Sequence, residues 1–487
     1  MSTPAPRIVI IGSGFSGLCL GIQLRQRGIK SFTILEKSDR LGGTWRDNVY
    51  PGAACDLPSM AYCFSFEQKT DWSRKWSPQP EILAYMDHCV EKYGLAPHLR
   101  FGAGVEGARF DADAGVWHVR LEDGEEIEAE VLVSGVGQLH RPYVPPLPGL
   151  DRFAGECFHS ARWNHEFDLT GKRVAVVGNA ASAIQFIPEI AKQVEKLFVF
   201  QRSANWMLPR GDRAFTDGEK RRFSRWPLWA RLYRWFIWAR QELMFPMFIG
   251  SERAGRKASQ LALDSMRQVI HDPKLQDALV PDYPIGGKRI LISDDYYPAL
   301  ERDNVQVVTE SIDTFTETGI RTRDGAAHDV DAVILGTGFE TNDFLAPMEI
   351  EGRDSVTLGE VWSEGARAYF GLTVAGFPNF FMMYGPNTNL GHNSIIFMIE
   401  CQTSYIVQCV EAIRARRLKY LDLRSEAMTR FNNKLRGELD RTAWAKTGKS
   451  WYKNEAGVIT NNWSGTTARY WWQTRRPVFA DYDQVSR

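Results

Sequence analysis

The chain has 487 residues, of which 44% are hydrophobic and 12% aromatic. This length and composition predict two or three domains with buried cores and exclude a disordered or fibrous protein. Lys plus Arg and Asp plus Glu each total 59, so the chain as a whole lacks the positive field that holds a polyanion or an anionic membrane. We therefore expect no nucleic-acid partner.

The N-terminus and the cysteines indicate the compartment. Residues 1–7 contain no basic region followed by an apolar stretch, so they do not resemble a secretory signal. The seven cysteines are an odd number without a CxxC pair, which argues against a disulfide framework and a zinc site. We expect a cytoplasmic protein with reduced thiols and no metal.

The first predicted unit is a strand, a glycine turn, a helix and a second strand over residues 7–36. Apolar residues 8–11 lead directly into Gly12-Ser13-Gly14-Phe15-Ser16-Gly17, and a helix-compatible segment follows. In a dinucleotide-binding unit such glycines permit a tight turn, the approach of a pyrophosphate and the packing of helix on strand. Glu36 ends the second strand and is expected to bind a ribose 2′-hydroxyl, which favours FAD or NAD over NADP.

A second unit of the same kind spans residues 173–202, after a pleated stretch at 102–133 and a proline-rich connector at 140–148. Its turn, Gly178-Asn179-Ala180-Ala181-Ser182-Ala183, keeps only the first glycine of the motif. Its second strand ends in Gln201-Arg202, where an acid is usual in NAD sites. The exchange of negative for positive charge favours the 2′-phosphate of NADPH, and Lys288-Arg289 offers further positive charge.

The pattern then becomes helical and aromatic over residues 214–266. The most membrane-like stretch, 226–248, is interrupted by Arg231, Arg234 and Arg240 and is therefore not expected to span a bilayer. Two interpretations remain open: an aromatic helix packed on the main body, which we favour, or a helix that faces substrate or a membrane surface.

Further along the chain, the sequence predicts the elements that complete the two nucleotide domains. An apolar strand at 331–335 ends in Gly336-Thr337-Gly338 and is expected to close a nucleotide-domain sheet. Residues 395–410 show helical spacing after a turn-rich segment, which predicts a helix that completes the first domain.

These elements predict an α/β fold with two Rossmann-like dinucleotide-binding domains and a helical insertion. We expect a discontinuous FAD-binding domain at 1–145 and 370–487, and an NADPH-binding domain at 146–213 and 326–369. The aromatic insertion is expected at 214–325, near the substrate site.

Two longer motifs resemble the type I Baeyer-Villiger monooxygenases, a group of class B flavoprotein monooxygenases. Phe153, Gly155, His159 and Trp163 match the family fingerprint FxGxxxHxxxW, in which heteroatom-oxygenating relatives usually carry Tyr or Phe in place of Trp. Residues 42–56 match a second fingerprint, (A/G)GxWxxxx(F/Y)P(G/M)xxxD. The resemblance covers most of the chain.

The resemblance implies an enzyme that uses NADPH, FAD and O2 to convert a ketone into an ester or lactone through a flavin peroxide. It assigns Asp56 to the acid beside flavin and nicotinamide, and Arg289 to the cation that holds reduced flavin and its peroxide. A guanidinium suits this task because it stays charged beside a developing oxyanion. The identity of the ketone and the oligomeric state are left open.

The resemblance also implies the cofactor contacts. His159 is expected to act in a hinge between domains rather than as a base, and His392 and Trp451 are plausible pocket residues only. Ala54 and Gly336 depart from the usual Arg and Ala, and Asn164 follows Trp163 where Pro or Asp is usual. The expected cofactor-binding residues are Gly12, Ser13, Gly14, Ser16, Gly17, Glu36, Thr44, Trp45, Asp56, Tyr62 and Val105 for FAD, and Gly178, Ser182, Arg202 and Lys288 for NADPH.

Three alternatives share parts of this architecture. A heteroatom oxygenase would use the same cofactors to attack sulfur or nitrogen. A pyridine nucleotide-dependent flavin reductase or oxidase would need a redox cysteine pair beside the flavin, and Cys55 and Cys63 are too far apart in sequence to match one. A non-enzymatic nucleotide sensor would leave the two long fingerprints unexplained.

Overall fold

The protein has the α/β fold that the sequence predicts, with two separate five-stranded parallel sheets at its centre. The structure is a computed structural model that describes residues 5–448 and 450–487. Residues 1–4, which begin the expected FAD-binding domain, lie outside this description.

The strands in chain order are β1 (Ile8–Ile11), β2 (Phe32–Leu35), β3 (Leu99–Arg100), β4 (Val105–Asp111), β5 (Val116–Leu121), β6 (Glu126–Ala129), β7 (Val131–Ser134), β8 (Glu156–His159), β9 (Arg173–Val177), β10 (Lys196–Phe200), β11 (Met207–Leu208), β12 (Leu291–Ile292), β13 (Val305–Val308), β14 (Ile312–Phe315), β15 (Gly319–Thr322), β16 (Ala327–Asp329), β17 (Ala332–Leu335), β18 (Glu349–Glu351), β19 (Phe380–Met382), β20 (Leu418–Leu423) and β21 (Tyr482–Ser486). The α-helices are α1 (Phe15–Gln26), α2 (Thr44–Asp47), α3 (Gln79–Lys92), α4 (Ala183–Ile190), α5 (Asp217–Arg225), α6 (Pro227–Glu242), α7 (Phe245–Phe248), α8 (Glu252–Arg267), α9 (Pro273–Ala278), α10 (Tyr296–Leu300), α11 (Leu358–Val361), α12 (Ile395–Ala415), α13 (Ser425–Leu439) and α14 (Thr467–Thr474).

The first sheet has the order β19-β7-β1-β2-β3 and contains the first strand–helix–strand unit. All four residues of β1 are buried, as expected for a parallel strand covered on both faces. Strand β19, which comes last in the chain among the strands of this sheet, pairs with β7, and α12 packs against α1. The C-terminal part of the chain thus completes the sheet, and the helix predicted at 395–410 is confirmed.

The second sheet has the order β13-β10-β9-β17-β8 and contains the second unit. The strand predicted at 331–335 is confirmed as β17, which lies between β8 and β9. The FxGxxxHxxxW motif, residues 153–163, contains the edge strand β8. Trp163 packs its ring against Phe158 and Phe186, so the motif fixes this edge to helix α4.

Several strands depart from the expected domain pattern. Residues 214–325 were expected to form one helical insertion, but only α5 to α9 are consecutive helices, and the four strands β12 to β15 follow them. Strand β13 pairs with β10 at the edge of the second sheet, and β18, within the expected second domain, pairs with β4 beside the first sheet. Strands β13 and β18 are four and three residues long, and an apolar pattern of that length does not specify its partner.

The aromatic helix predicted near 226–248 forms α6, followed by the short helix α7. Its buried residues, Ala230, Ile237 and Gln241, face the protein, whereas most of its large apolar residues are exposed. Among the described residues, no helix combines the length and the apolar character needed to cross a bilayer.

Two glycines of the first turn provide a test of how α1 packs on β1. A Cβ at Gly17 would lie 2.0 Å from the Gly12 carbonyl oxygen, whereas a Cβ at Gly14 would have no neighbour within 4 Å. We expect Gly17→Ala to lower the unfolding free energy of the ligand-free protein by about 2 kcal/mol through overpacking. Gly14→Ala is the matched control and should change it little. Urea unfolding followed by circular dichroism checks both, and equal stability of the two variants would contradict the packing argument.

Candidate active site

The first glycine turn presents unpaired backbone donors. Helix α1 has no side-chain cap and no acidic residue in its first turn, although most globular helices satisfy these N–H groups locally. Gly14 precedes the helix, and the space beside its Cα is open. The amides of Phe15, Ser16 and Gly17 are therefore oriented toward a place that an anion can occupy.

Glu36 lies at the end of β2 directly beside this turn. Its carboxylate accepts hydrogen bonds from the Ser13 backbone N at 3.1 Å and the Ser13 hydroxyl at 2.7 Å. The Ser38 N–H donates to the same carboxylate, and Arg46 forms an ion pair with it at 3.0 Å. Burial alone would raise the pKa of Glu36, but these donors and the Arg46 charge outweigh burial and lower it. The carboxylate is thus held ionised and ready to accept from a hydroxyl.

The second fingerprint lies against the same turn. Trp45 donates from its indole Nε1 to the Tyr62 hydroxyl at 3.0 Å, and the two rings pack edge to face at 5.5 Å. The Thr44 hydroxyl donates to the Leu139 carbonyl at 3.2 Å. Val105 is buried at the start of β4, in a different sheet from the turn. Of the four expected flavin contacts here, Trp45 and Tyr62 therefore form one packed pair, Thr44 directly precedes Trp45 in the chain, and Val105 belongs to another sheet.

The second glycine turn has the same form with different small residues. Helix α4 also lacks a side-chain cap and an acidic first turn, and Ser182 precedes it. A Cβ at Gly178 would lie 2.5 Å from the Gly336 carbonyl oxygen, so the turn requires glycine there. A Cβ at Gly336 would lie 3.2 Å from the Cβ of Ala183. Ala183 therefore stands where the motif has its third glycine, and the absence of a side chain at Gly336 opposite leaves room for the Ala183 methyl group.

Positive charge lies beside the end of β10. Arg202 is exposed, and Lys288 approaches the hydroxyl of the neighbouring Ser203 at 3.4 Å. Lys288 also lies 4.3 Å above the ring of Tyr283. Burial lowers the pKa of Lys288 and Arg202 lowers it further, while Asp282 opposes this change. Because Arg202 and Lys288 repel each other, the pair favours an anion between them.

Asp56 and Arg289 form the central ion pair. The Arg289 Nε donates to the Asp56 carboxylate at 2.9 Å, and Nη2 contacts the same oxygen. The negative charge of Asp56 raises the pKa of Arg289, more than burial lowers it. The two side chains keep 31% and 35% of their surface exposed, so the guanidinium remains charged and open to a third group.

Sequence reasoning missed Gln185, which joins the Asp56 loop to the second nucleotide unit. Its side-chain oxygen accepts from the Tyr50 hydroxyl at 3.0 Å and from the Ala54 N–H at 3.2 Å. Its amide nitrogen donates to the Ala54 carbonyl at 3.0 Å. The available sequence signal was the position of Gln185 on α4, two residues after Ala183 in the turn motif.

Two histidines occupy structural positions. The Nδ1 of His159 accepts from the Ala161 N–H at 3.0 Å, and burial lowers the pKa of His159, so the ring is neutral. His392 is buried between Phe245 and Phe248, and its Nε2 lies 3.3 Å from the Glu242 carboxylate. Neither ring contacts the Asp56–Arg289 pair. The ring of Trp451 lies 4.3 Å from that of Tyr452 at a tilt of 44°, and Tyr452 adds to the rise in the pKa of Arg289 that Asp56 causes.

Comparisons with known proteins agree with this geometry. The flavin-binding monooxygenase-like family matches residues 5–218. A Baeyer-Villiger monooxygenase of Pseudomonas aeruginosa is 43% identical over 96% of this chain and 90% of its own length. One from Streptomyces coelicolor is 41% identical over 99% of this chain and 93% of its own length.

Solved structures extend the likeness to the whole fold. Steroid monooxygenase bound to NADP superimposes with a TM-score of 0.89 at 30% identity, covering 99% of this chain and 100% of that one. The OTEMO complex with FAD and NADP gives a TM-score of 0.88 at 26% identity, with the same coverage. The resemblance noted in the two fingerprints is thereby confirmed: this chain belongs to the Baeyer-Villiger monooxygenases of the flavin-binding monooxygenase-like family.

Proposed function

We propose that the chain binds FAD and NADPH and uses O2 to convert a ketone into an ester or lactone. The observation that carries this proposal is the partly exposed Asp56–Arg289 ion pair, in a chain that also has two glycine turns whose helices carry no side-chain cap. The full-length likeness to Baeyer-Villiger monooxygenases supports the same activity.

The first turn fits FAD. The unpaired amides of α1 suit a pyrophosphate, and the ionised carboxylate of Glu36 suits a ribose hydroxyl. The Trp45–Tyr62 pair is proposed to hold the cofactor from the side of the second fingerprint. Bound FAD, reduced by NADPH, supplies the activation of O2.

The second turn fits NADPH. Its free helix end suits the pyrophosphate, and Arg202 and Lys288 suit the 2′-phosphate that distinguishes NADPH from NADH. Gln185 ties helix α4 to the backbone of Ala54, two residues before Asp56. We propose that Gln185 is a positioning residue, because a movement of the second nucleotide unit would be transmitted through Gln185 and Ala54 to Asp56.

Arg289 is proposed to stabilise negative charge on the reacting oxygen. Its guanidinium stays charged at every physiological pH, and Asp56 fixes its orientation through the Nε bond. Asp56 occupies only part of the donor set of Arg289, which leaves N–H groups for substrate or oxygen.

The reductase alternative finds little support in the thiols beside this site. Burial raises the pKa of both Cys55 and Cys63, which opposes the thiolate that disulfide exchange requires.

The cytoplasmic location stays a prediction. The expected division into FAD, NADPH and insertion domains is likewise proposed rather than established.

Labelled O2 tests the reaction class. Purified enzyme with NADPH and a panel of linear, aryl and cyclic ketones and sulfides should place one labelled atom in an ester or lactone, as detected by mass spectrometry. Label found only in sulfoxide would assign the chain to the heteroatom oxygenases. NADPH oxidation with peroxide as the sole product across the panel would also count against the ketone assignment.

Substitution of Arg289 tests the role of the ion pair. We expect Arg289→Ala to retain FAD, because α1 and Glu36 do not contact Arg289, and to lower product formation about 100-fold or more. Arg289→Lys is the matched control: it keeps the charge but loses the planar donor set, so it should fall between the wild type and Arg289→Ala. Flavin absorbance and product yield are measured together. Full activity of Arg289→Ala would remove this residue from its role.

Substitution of Arg202 tests the phosphate site. Arg202→Ala should raise KM for NADPH about tenfold or more, since hydrogen bonds to charged groups contribute roughly 1.5–3 kcal/mol, and leave KM for NADH nearly unchanged. Arg213→Ala is the matched control, because Arg213 is also an exposed arginine but pairs with Glu219. An equal rise for both nucleotides would show that Arg202 does not recognise the phosphate.

A further inference from the structure

Helix α6 has an unusual orientation, with its apolar side facing outward. Leu228, Trp235 and Phe236 keep 68%, 58% and 62% of their surface exposed. We call the following residues the aromatic face: Trp226, Leu228, Trp229, Leu232, Trp235 and Phe236. Water-soluble proteins rarely expose so large a contiguous apolar surface unless something binds it.

Positive charge surrounds the aromatic face. Residues 220–241 contain Lys220 and six arginines and no acidic residue, although the whole chain carries no net charge. The five exposed arginines form what we call the basic flank: Arg221, Arg222, Arg225, Arg231 and Arg240. Within residues 5–448 and 450–487, no ion pair joins any of these five arginines to Asp or Glu; the neighbouring Glu219 and Glu252 pair with Arg213 and Arg256 instead.

The helical geometry organises these residues into one surface. At 100° per residue, the exposed apolar residues of α6 after Pro227 occupy an arc of about 120°. Arg231 and Arg240 fall on opposite borders of that arc. Helix α5 continues the surface because Phe223 packs on Tyr233 at 5.3 Å, which brings Arg221, Arg222 and Arg225 next to the start of α6.

We propose that α5 and α6 together form a monotopic binding surface for an anionic membrane. Trp, Phe and Leu on one side of a helix, with Arg along its borders, match the interfacial zone of a bilayer and its acidic headgroups. A second copy of the chain fits less well. A two-fold interface would bring the two basic flanks together, and no acidic residues in 220–241 would balance them.

The inner side of α6 is attached firmly to the body of the enzyme. Arg234 donates to the carbonyls of Met60 at 3.2 Å and Cys63 at 2.9 Å. Glu242 accepts from Asn393 at 2.8 Å and from the Thr467 hydroxyl at 2.7 Å. Because residues 60–63 follow Asp56 closely in the chain, a membrane bound by the outer side of α6 would lie near the proposed active site.

Vesicle flotation tests the proposal on the FAD-bound full chain. Wild-type protein should float with vesicles of phosphatidylcholine and phosphatidylglycerol, bind them more weakly at high salt, and bind pure phosphatidylcholine least. The triple variant R221E/R222E/R225E should lose about 100-fold in affinity for the anionic vesicles. The triple variant W229S/W235S/F236S should lose binding to a similar extent.

The controls separate this surface from general charge and folding. K30E/R109E/R323E changes net charge by the same amount on exposed residues outside α5 and α6, and should bind as the wild type does. Retained flavin absorbance and unchanged oxygenation of a water-soluble ketone show that each variant is folded, and they distinguish failure here from failure of the proposed function. Wild-type protein that ignores anionic vesicles, or a dimer in sedimentation that W229S/W235S/F236S disrupts, would overturn the proposal.

Discussion

The ion pair between Asp56 and Arg289 is the interaction on which the arrangement of the site depends. Asp56 belongs to the fingerprint loop beside the first glycine turn, whereas Arg289 follows the inserted helices more than two hundred residues later. A half-buried guanidinium needs a carboxylate partner, and a half-buried carboxylate needs a cation. The pair therefore holds two distant segments in a single arrangement.

Other bonds restrain the same loop from different directions. Gln185 pairs with both backbone groups of Ala54, and Arg210 donates to the Cys55 carbonyl at 3.2 Å. Three consecutive residues, Ala54 to Asp56, are thus tied to the second nucleotide unit and to the segments around the insertion. Such restraint suits a charged group that must meet a reacting oxygen without reorganising.

The two glycine turns reach the same geometry by different residues. The first uses Gly17, where a side chain would collide with the Gly12 carbonyl, and the second accepts Ala183 because Gly336 leaves room for its methyl group. The departure of Asn164 from the fingerprint also has a local role. Its side chain donates to Glu156 at 2.8 Å and accepts from the Glu166 N–H at 3.0 Å, closing a turn after Trp163.

The sequence by itself determined the two strand–turn–helix units, the strand before Gly336, the helix after residue 394 and the family. These depend on local periodicity, glycine placement and fixed motif spacing, all of which are written in contiguous residues. Only the tertiary structure decided which sheet accepts β13 and β18, that Gln185 bonds to Ala54, and that the aromatic side of α6 faces outward. Partners of very short strands and the orientation of an aromatic helix depend on contacts between residues far apart in sequence, and a local pattern carries no information about them.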